Sequence, residues 1–154
     1  MKSSATYLIL CFFIFGCLFS ISSCSKKGCT NPKSDNYNPE ARKDDGACIL
    51  WKDKFIGAFS GINNCTPGSS FDITVTGTAD DSTLIIEDNN QTIFNAYASS
   101  EFEATIPEQS QTSNGQQFTI SGTFSLNGSN FTMAYDFSSG GSNPVTCTAT
   151  GSKQ

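Results

Sequence analysis

From Trp51 to the end of the chain, short runs of alternating apolar and polar residues follow one another, separated by turn residues. The clearest run covers 71–76, in which Phe71, Ile73 and Val75 alternate with Asp and Thr. Side chains point to opposite faces of a β-strand in turn, so this run predicts a strand with one apolar face. Turn residues recur about every 8–12 positions, which is typical of an all-β domain. The chain from Trp51 onward is therefore predicted to be all-β.

The same reasoning predicts about eight strands, at 54–61, 71–76, 83–87, 92–97, 102–106, 118–126, 131–137 and 145–150. Asn127-Gly128 lies between two of these runs and is the strongest hairpin signal in the chain. All connections are short and no segment has helical periodicity. The simplest topology is an antiparallel meander, either as an up-and-down barrel or as a strongly curved sheet.

The cysteines constrain the closure of this sheet. Four of the seven, namely Cys29, Cys48, Cys65 and Cys147, lie beyond residue 24 and allow three connectivities. Sequence proximity and element placement favour Cys29 with Cys48, and Cys65 with Cys147. The second bond would join the region after the first strand to the last strand, which favours a closed barrel.

The N-terminus has the features of an export signal. Lys2 precedes an apolar run at 7–19, which is shorter than the about 20 residues that a bilayer-spanning helix needs. Ile21-Ser22-Ser23-Cys24 then resembles the lipobox of bacterial lipoproteins. The resemblance implies a lipid on Cys24 and cleavage before it. Lipidation at Cys17 instead would leave an unpaired cysteine in an oxidising compartment, so cysteine parity favours Cys24.

This interpretation divides the chain into three parts: a signal peptide at 1–23, a lipidated N-terminus with a spacer at 24–50, and a barrel domain at 51–154. It also implies an exported lipoprotein that is anchored in a bacterial cell envelope, with the outer membrane as the expected location.

The spacer has almost no aliphatic side chains and many Asn, Asp and Pro residues, so it is expected to form a compact loop closed by one disulfide. Residues 28–48 resemble a short module of exported and surface proteins of Gram-negative bacteria, with the pattern G-C-T-[DN]-P-x-[AS]-x-N-Y-[DN]-P-x-A-x-x-D-D-G-[SA]-C. The resemblance implies an extracytoplasmic spacer or stalk with no established chemistry.

The spacer contains one candidate metal site, and the barrel domain contains one candidate modification site. Asp35, Asp44 and Asp45 offer the hard oxygen ligands that Ca²⁺ prefers, but their spacing does not match an EF-hand, and Asx side chains also cap turns. Asp81-Ser82-Thr83 resembles the sequon of bacterial O-glycosylation, which would place a glycan on Ser82.

Charge and composition exclude several functions. The net charge of −5, with acidic residues in excess, argues against nucleic-acid binding. The chain has no histidine, which removes Ser-His-Asp and Cys-His catalysis and His-ligated zinc. We therefore predict no catalytic residue, no resident metal and no cofactor.

The start of the barrel domain, with Trp51 followed by the segment 55–59, resembles the lipocalin-like β-barrel lipoproteins of Gram-negative bacteria. This resemblance implies either binding of an apolar ligand or a purely structural barrel. Nine Phe residues in the strands favour a filled core over a hollow one. The sequence thus predicts a non-catalytic, membrane-anchored envelope lipoprotein that contacts an envelope protein or glycan, with a lipocalin-like binder of a small apolar ligand as the alternative.

Overall fold

A computed structural model of the chain describes residues 25–113 and 115–154. The predicted signal peptide and the predicted lipid site at Cys24 lie outside these residues. The described part has one short helix, α1 (Trp51–Phe55), and eight strands: β1 (Gly57–Asn63), β2 (Ser70–Gly77), β3 (Thr83–Asp88), β4 (Ile93–Ala98), β5 (Glu103–Ser113), β6 (Gln116–Asn127), β7 (Asn130–Ser139) and β8 (Val145–Lys153). Within the described residues, no helix has the length and apolar character needed to cross a bilayer.

The eight strands form a closed antiparallel barrel, in which each strand pairs with the next. The barrel closes where β1 pairs with β8, from Phe59 opposite Lys153 to Asn63 opposite Ala149. The predicted all-β fold and meander topology are confirmed, and the barrel is the form that the sheet adopts. Closure matters because it pairs the first and last strands, whose edges would otherwise be free.

The alternation seen in the sequence decides which side chains fill the barrel. Directly paired residues face the same side of the sheet, and the buried apolar residues fall at every second position of the strands. On β7, for example, Phe131, Met133 and Tyr135 are buried while their neighbours are exposed.

One end of the barrel is plugged by α1, and we call it the closed end. It also carries the β2–β3, β4–β5 and β6–β7 turns. Phe55 of α1 is fully buried, and its ring lies 5.7 Å from that of Phe124. Phe59 and Phe131 complete this cluster, with ring centroids 5.2 Å and 5.6 Å from Phe124. The sequence-based expectation of a strand at 54–61 was wrong at its start, because residues 51–55 form the helical turn that directs Phe55 into the barrel.

The spacer packs against the closed end. The backbone N–H of Trp51 donates to the Lys33 carbonyl at 3.0 Å, and the Asn31 amide donates to the Asp81 carboxylate at 2.6 Å. Lys33 also donates to the Ser82 hydroxyl at 3.0 Å. The predicted spacer is therefore bound to the barrel through the β2–β3 turn and α1.

Both predicted disulfides are confirmed. Cys29 is bonded to Cys48 across a separation of 19 residues. Cys65 is bonded to Cys147 across a separation of 82 residues. The first closes the spacer loop, and the second lies at the end of the barrel opposite α1, which we call the mouth.

Candidate functional site

The mouth half of the barrel is hollow. A cavity of about 870 Å³ opens between the β1–β2, β3–β4 and β7–β8 connections. Its apolar lining comes from six side chains that point inward from the strands and two at the rim: Phe71, Phe94, Phe118, Ile120, Met133, Tyr135, Phe137 and Val145. The expectation of a filled core therefore holds only for the closed half.

The hollow half results from the residues at inward positions near the mouth. On β1 and β3 the last inward positions are occupied by Asn63 and Asp88 rather than by large apolar residues. The only described helix, α1, fills the opposite end. The aromatic side chains of β2, β6 and β7 therefore line a space that nothing in the described residues fills.

The Cys65–Cys147 disulfide shapes the mouth. Cys147 is a buried residue of β8, and Cys65 belongs to the β1–β2 loop, so the bond holds this loop against the inside of the wall. Asn64 adds two hydrogen bonds to Thr148: its backbone N–H donates to the Thr148 carbonyl at 3.1 Å, and its side chain accepts the Thr148 N–H at 2.6 Å. The loop at this side of the cavity is thus fixed by one covalent bond and two hydrogen bonds.

Two aromatic pairs give the cavity flat walls. The rings of Phe71 and Tyr135 stack at 6.3 Å with an interplanar angle of 21°, and those of Phe118 and Phe137 stack at 5.5 Å with an angle of 28°. Stacked aromatic walls present a large apolar surface at a low cost in side-chain entropy, because the rings hold one another in place.

A buried polar pair lies within this apolar lining. The Asn63 amide nitrogen donates to the Tyr135 hydroxyl, and both residues are almost fully buried. Burial raises the pKa of the Tyr135 phenol, the hydrogen bond from Asn63 lowers it, and the nearby negative charge of Asp88 raises it. With the net direction upward, the phenol remains protonated at neutral pH.

The cavity carries little charge. Among the described residues that line it, Asp88 is the only acidic one, and none is a lysine or an arginine. The Asp88 carboxylate accepts the backbone N–H groups of Asn90 and Thr92, each at 2.8 Å, which fixes it at the β3–β4 turn. The mouth is therefore apolar inside and polar and weakly acidic at its rim.

A second, smaller cleft lies at the closed end, where the spacer meets the barrel. It has a volume of about 420 Å³ and is lined by residues of the spacer, of α1 and of the β4–β5 turn. The Lys54 ammonium lies between the carboxylates of Asp35 and Glu101, at 2.6 Å and 2.9 Å, and 5.6 Å from the centre of the Phe102 ring. The hydrogen bonds to Asp35 and then to Glu101 raise the pKa of Lys54. These contacts join the spacer to the barrel. They also pair the charged groups of the cleft with one another, so that these groups are not free to bind a ligand.

The carboxylates considered for calcium are not brought together. Asp35 forms the ion pair with Lys54, whereas Asp44 and Asp45 each accept a backbone N–H two residues further along the chain, at 2.7 Å and 3.0 Å. The hydrogen bond from Gly46 lowers the pKa of Asp44, as expected for a carboxylate that caps a turn. Over residues 25–113 and 115–154, no three His, Cys, Asp or Glu side chains converge on a point where a metal ion could bind.

Ser82, the residue considered for a glycan, is only 9% exposed. Its hydroxyl lies against Lys33 of the spacer at 3.0 Å. A glycan on this oxygen would have to displace the spacer from the β2–β3 turn, so the folded chain disfavours this modification.

Three residues that matter most in the cavity were not predicted from the sequence, namely Asn63, Asp88 and Tyr135. The available signal was their position: each occupies an inward position of its strand but carries a polar group. Asn63 and Asp88 take the last inward positions of β1 and β3, where the filled core ends.

A comparison of the chain with models of protein families, with curated proteins and with solved structures finds no match. The assignment of a function therefore depends on the geometry of the cavity and on the sequence.

Proposed function

We propose that this chain is an exported, non-catalytic envelope lipoprotein, anchored through a lipid on Cys24, whose barrel binds a small apolar ligand in the mouth cavity. The observation that carries the proposal is the cavity itself, about 870 Å³ in volume, with apolar walls and a polar rim. Ligand pockets in proteins typically enclose about 300–1,000 Å³ and combine a mostly apolar lining with a few polar groups that fix the orientation of the ligand.

The alternative, a barrel that acts only through its outer surface, leaves the hollow half without a role. The apolar side chains that line an open cavity remain accessible to water, and leaving them unburied forgoes part of the hydrophobic stabilisation that a filled barrel would have. The Cys65–Cys147 disulfide and the Asn64 hydrogen bonds hold the mouth open at this cost. A binding function gives the cavity a use that a structural barrel would not have.

The non-catalytic part of the proposal is supported by the residues of the chain. There is no histidine, and all four cysteines of the described residues are in disulfides. The nucleophile and base combinations of most hydrolases need one or both of these groups in a free state.

The binding proposal can be tested with N-phenyl-1-naphthylamine, an uncharged apolar dye whose fluorescence increases in an apolar environment. The mature chain, with Cys24→Ser so that no lipid is attached, is expected to bind the dye saturably and to gain thermal stability with it, because a ligand that binds only the native state stabilises that state. Ile120→Trp, which fills the cavity, and Val145→Trp, which blocks the rim, are expected to abolish saturable binding.

The matched control is Ile62→Trp. Ile62 is 68% exposed on β1, so the same bulk added there lies outside the barrel. Dye binding should be unchanged in this variant. A wild-type protein that shows no saturable binding, or cavity variants that bind as well as the control, would refute the proposed function.

The lipid anchor has a separate test. Cys24→Ala is expected to release the chain from the membrane fraction and to prevent cleavage at residue 24, since both steps depend on the thioether. Unchanged membrane retention and unchanged size would exclude the lipobox.

A further inference from the structure

The hydrogen bonds of Asn63 determine what the cavity can offer to a ligand. The backbone N–H of Cys65 donates to the Asn63 side-chain carbonyl at 2.9 Å. This bond fixes the orientation of the Asn63 amide, because only the carbonyl oxygen of that group can accept a hydrogen bond. The amide nitrogen is thereby directed towards Tyr135.

The Tyr135 hydroxyl can both accept and donate a hydrogen bond, and the protein uses only its acceptor. Its oxygen accepts the Asn63 N–H, so its own proton must be donated elsewhere. Within residues 25–113 and 115–154, this proton has no hydrogen-bond acceptor. Tyr135 is 9% exposed and lines the cavity, and a buried donor without a partner is costly unless water or a ligand supplies one.

The charge of the lining limits the kind of ligand that can use this donor. A carboxylate placed beside Tyr135 would find no lysine or arginine among the described residues of the cavity, and it would lie in the same cavity as the Asp88 carboxylate. Removing an anion from water without a compensating cation is strongly unfavourable. A neutral oxygen does not incur this cost.

Building on the proposed function, we propose that the cavity selects an uncharged apolar molecule that carries a carbonyl oxygen, and that Tyr135 is the specificity-determining residue that donates a hydrogen bond to this oxygen. Asn63 fixes the Tyr135 hydroxyl as the donor towards the cavity, and the stacked rings of Phe71 and Tyr135 provide the apolar wall beside it. The hydrocarbon part of the ligand occupies the space between Phe94, Phe118 and Met133.

The test uses three probes with the same carbon count: 2-decanone, decanoate and decane. Each is measured by displacement of N-phenyl-1-naphthylamine from the mature Cys24→Ser chain at neutral pH. We expect 2-decanone to bind at least tenfold more tightly than decanoate. In Tyr135→Phe, the affinity for 2-decanone relative to decane should fall about threefold to tenfold, the range expected for one neutral hydrogen bond.

Two further variants make the result specific. Tyr97→Phe removes a hydroxyl from a 44% exposed tyrosine on the outside of β4 and should leave all three affinities unchanged. Asn63→Leu combined with Tyr135→Phe removes both donors of the polar pair. In this double variant, the carbonyl should give 2-decanone no advantage in affinity over decane. The double variant is needed because, in Tyr135→Phe alone, the freed Asn63 amide could donate to the ligand in place of Tyr135.

The outcomes separate the two proposals. Dye binding by the double variant shows that its barrel is folded and its cavity intact. Two results would show that the assignment of Tyr135 is wrong while the proposed function stands, provided that the dye binds to the wild type. In the first, decanoate competes as well as 2-decanone. In the second, the ratio of the affinities for 2-decanone and decane is the same in the wild type and the double variant. If the dye does not bind to the wild type at all, both proposals fail.

Discussion

At the residue scale, the closed end shows how single polar side chains stabilise a tight turn. Lys52 of α1 is buried, and its ammonium donates to the carbonyls of Thr78 and Asp80 in the β2–β3 turn. The Asp80 carboxylate in turn accepts the backbone N–H groups of Ser82 and Thr83, at 2.9 Å and 2.6 Å. Helix α1 and the turn that supports the spacer are thus joined by one lysine and one aspartate.

Asp80 makes the stability of the protein sensitive to acid. Hydrogen bonds from Thr83, Ser82 and Thr78 hold the pKa of Asp80 well below the ordinary value of 3.8. Below about pH 4, the Asp80 carboxylate of the unfolded chain takes up a proton more readily than that of the folded chain. The stability that Asp80 contributes to the fold is therefore present above pH 3.8 and is lost as the pH falls through the lower folded-state pKa. In Asp80→Asn, the urea midpoint should fall less between pH 5 and pH 2.5 than in the wild type. Asp53→Asn, a change at an exposed carboxylate of α1, is the control, and equal pH dependence in the wild type and Asp80→Asn would contradict the prediction.

At the element scale, the weakest seam of the barrel lies between β4 and β5. Only two residue pairs join these strands, Tyr97 with Thr105 and Ala98 with Ala104. The pairing of β5 with β6 shifts its register after Ile106, where Pro107 has no N–H to offer to a neighbouring strand. Both features turn β5 away from the mouth half of β4.

The side chain of Gln109 bridges this seam. Its amide accepts the Asn95 N–H at 2.8 Å and donates to the Asn95 carbonyl at 2.8 Å, which are the bonds that an opposing backbone residue would make. Gln109→Ala is expected to remove the protection of the Asn95 amide against hydrogen exchange and to lower the free energy of unfolding by about 1–2 kcal/mol, for two partly exposed hydrogen bonds. Gln111→Ala, two residues further along β5, is the control. Exchange at Asn95 that is as slow in Gln109→Ala as in the control would show that the seam is held in another way.

The closure between β1 and β8 depends on two glycines that face each other. Gly61 lies opposite Gly151 in the strand register. A Cβ atom on Gly151 would lie 2.5 Å from the Gly61 Cα and 2.7 Å from the Phe131 ring, which is closer than real Cβ contacts come. Gly151→Ala is therefore expected to destabilise the barrel by about 2–3 kcal/mol, the cost of overpacking.

The control for this substitution is Gly77→Ala on β2. There the nearest atom is the end of the flexible Ile56 side chain, at 3.0 Å, so the cost should stay below about 1 kcal/mol. Urea unfolding with an unchanged m-value would measure both changes. A Gly151→Ala protein as stable as Gly77→Ala would mean that the β1–β8 seam can widen without cost.

The elements also show how far periodicity could predict the fold. All eight strands were predictable, because short runs rich in apolar and β-branched residues, several of them strictly alternating, are separated by turn residues. Helix α1 was missed because its five residues are too few for a helical period, and they merge with the apolar start of β1. The mouth half of β5 was missed because it follows Pro107 and consists of polar residues. Its position is fixed by pairing with β6, which is a tertiary effect that local sequence does not encode.

At the scale of the whole molecule, the cavity could not be predicted from the number of aromatic residues. The nine Phe residues of the predicted strands indicate enough apolar bulk for a filled barrel, but four large rings crowd the closed end, among them Phe55 from the helix. The disulfide pairing was predictable from sequence order, whereas the role of Cys65–Cys147 in holding the mouth was not. That role depends on Cys147 being an inward residue, and the strand register determines this.

The spacer, which follows the proposed lipid site in the sequence, is bound to the closed end of the barrel. Asn31 and Lys33 bind the spacer to the β2–β3 turn, and Asp35 binds it to Lys54 of α1, so the first described residue, Ser25, belongs to a segment held at the closed end. The proposed lipid site, Cys24, directly precedes it. The mouth cavity lies at the opposite end of the barrel. We therefore expect the proposed anchor to place the mouth on the side of the barrel away from the membrane, so that a ligand would enter from the aqueous phase.

This orientation can be measured with the single tryptophan of the chain. Trp51 lines the closed-end cleft, whereas Phe137 lies at the rim of the mouth. In vesicles that contain lipids with a nitroxide on the headgroup, the fluorescence of the lipidated wild type is expected to be quenched, because Trp51 lies at the end of the barrel to which the spacer is bound. The lipidated double variant Trp51→Phe, Phe137→Trp moves the fluorophore to the mouth and should be quenched much less.

Unlipidated Cys24→Ser chains mixed with the same vesicles give the background for both. Quenching at the mouth position that equals or exceeds quenching at Trp51 would mean that the barrel lies on its side or faces the membrane with its cavity, and the ligand would then have to enter from the lipid.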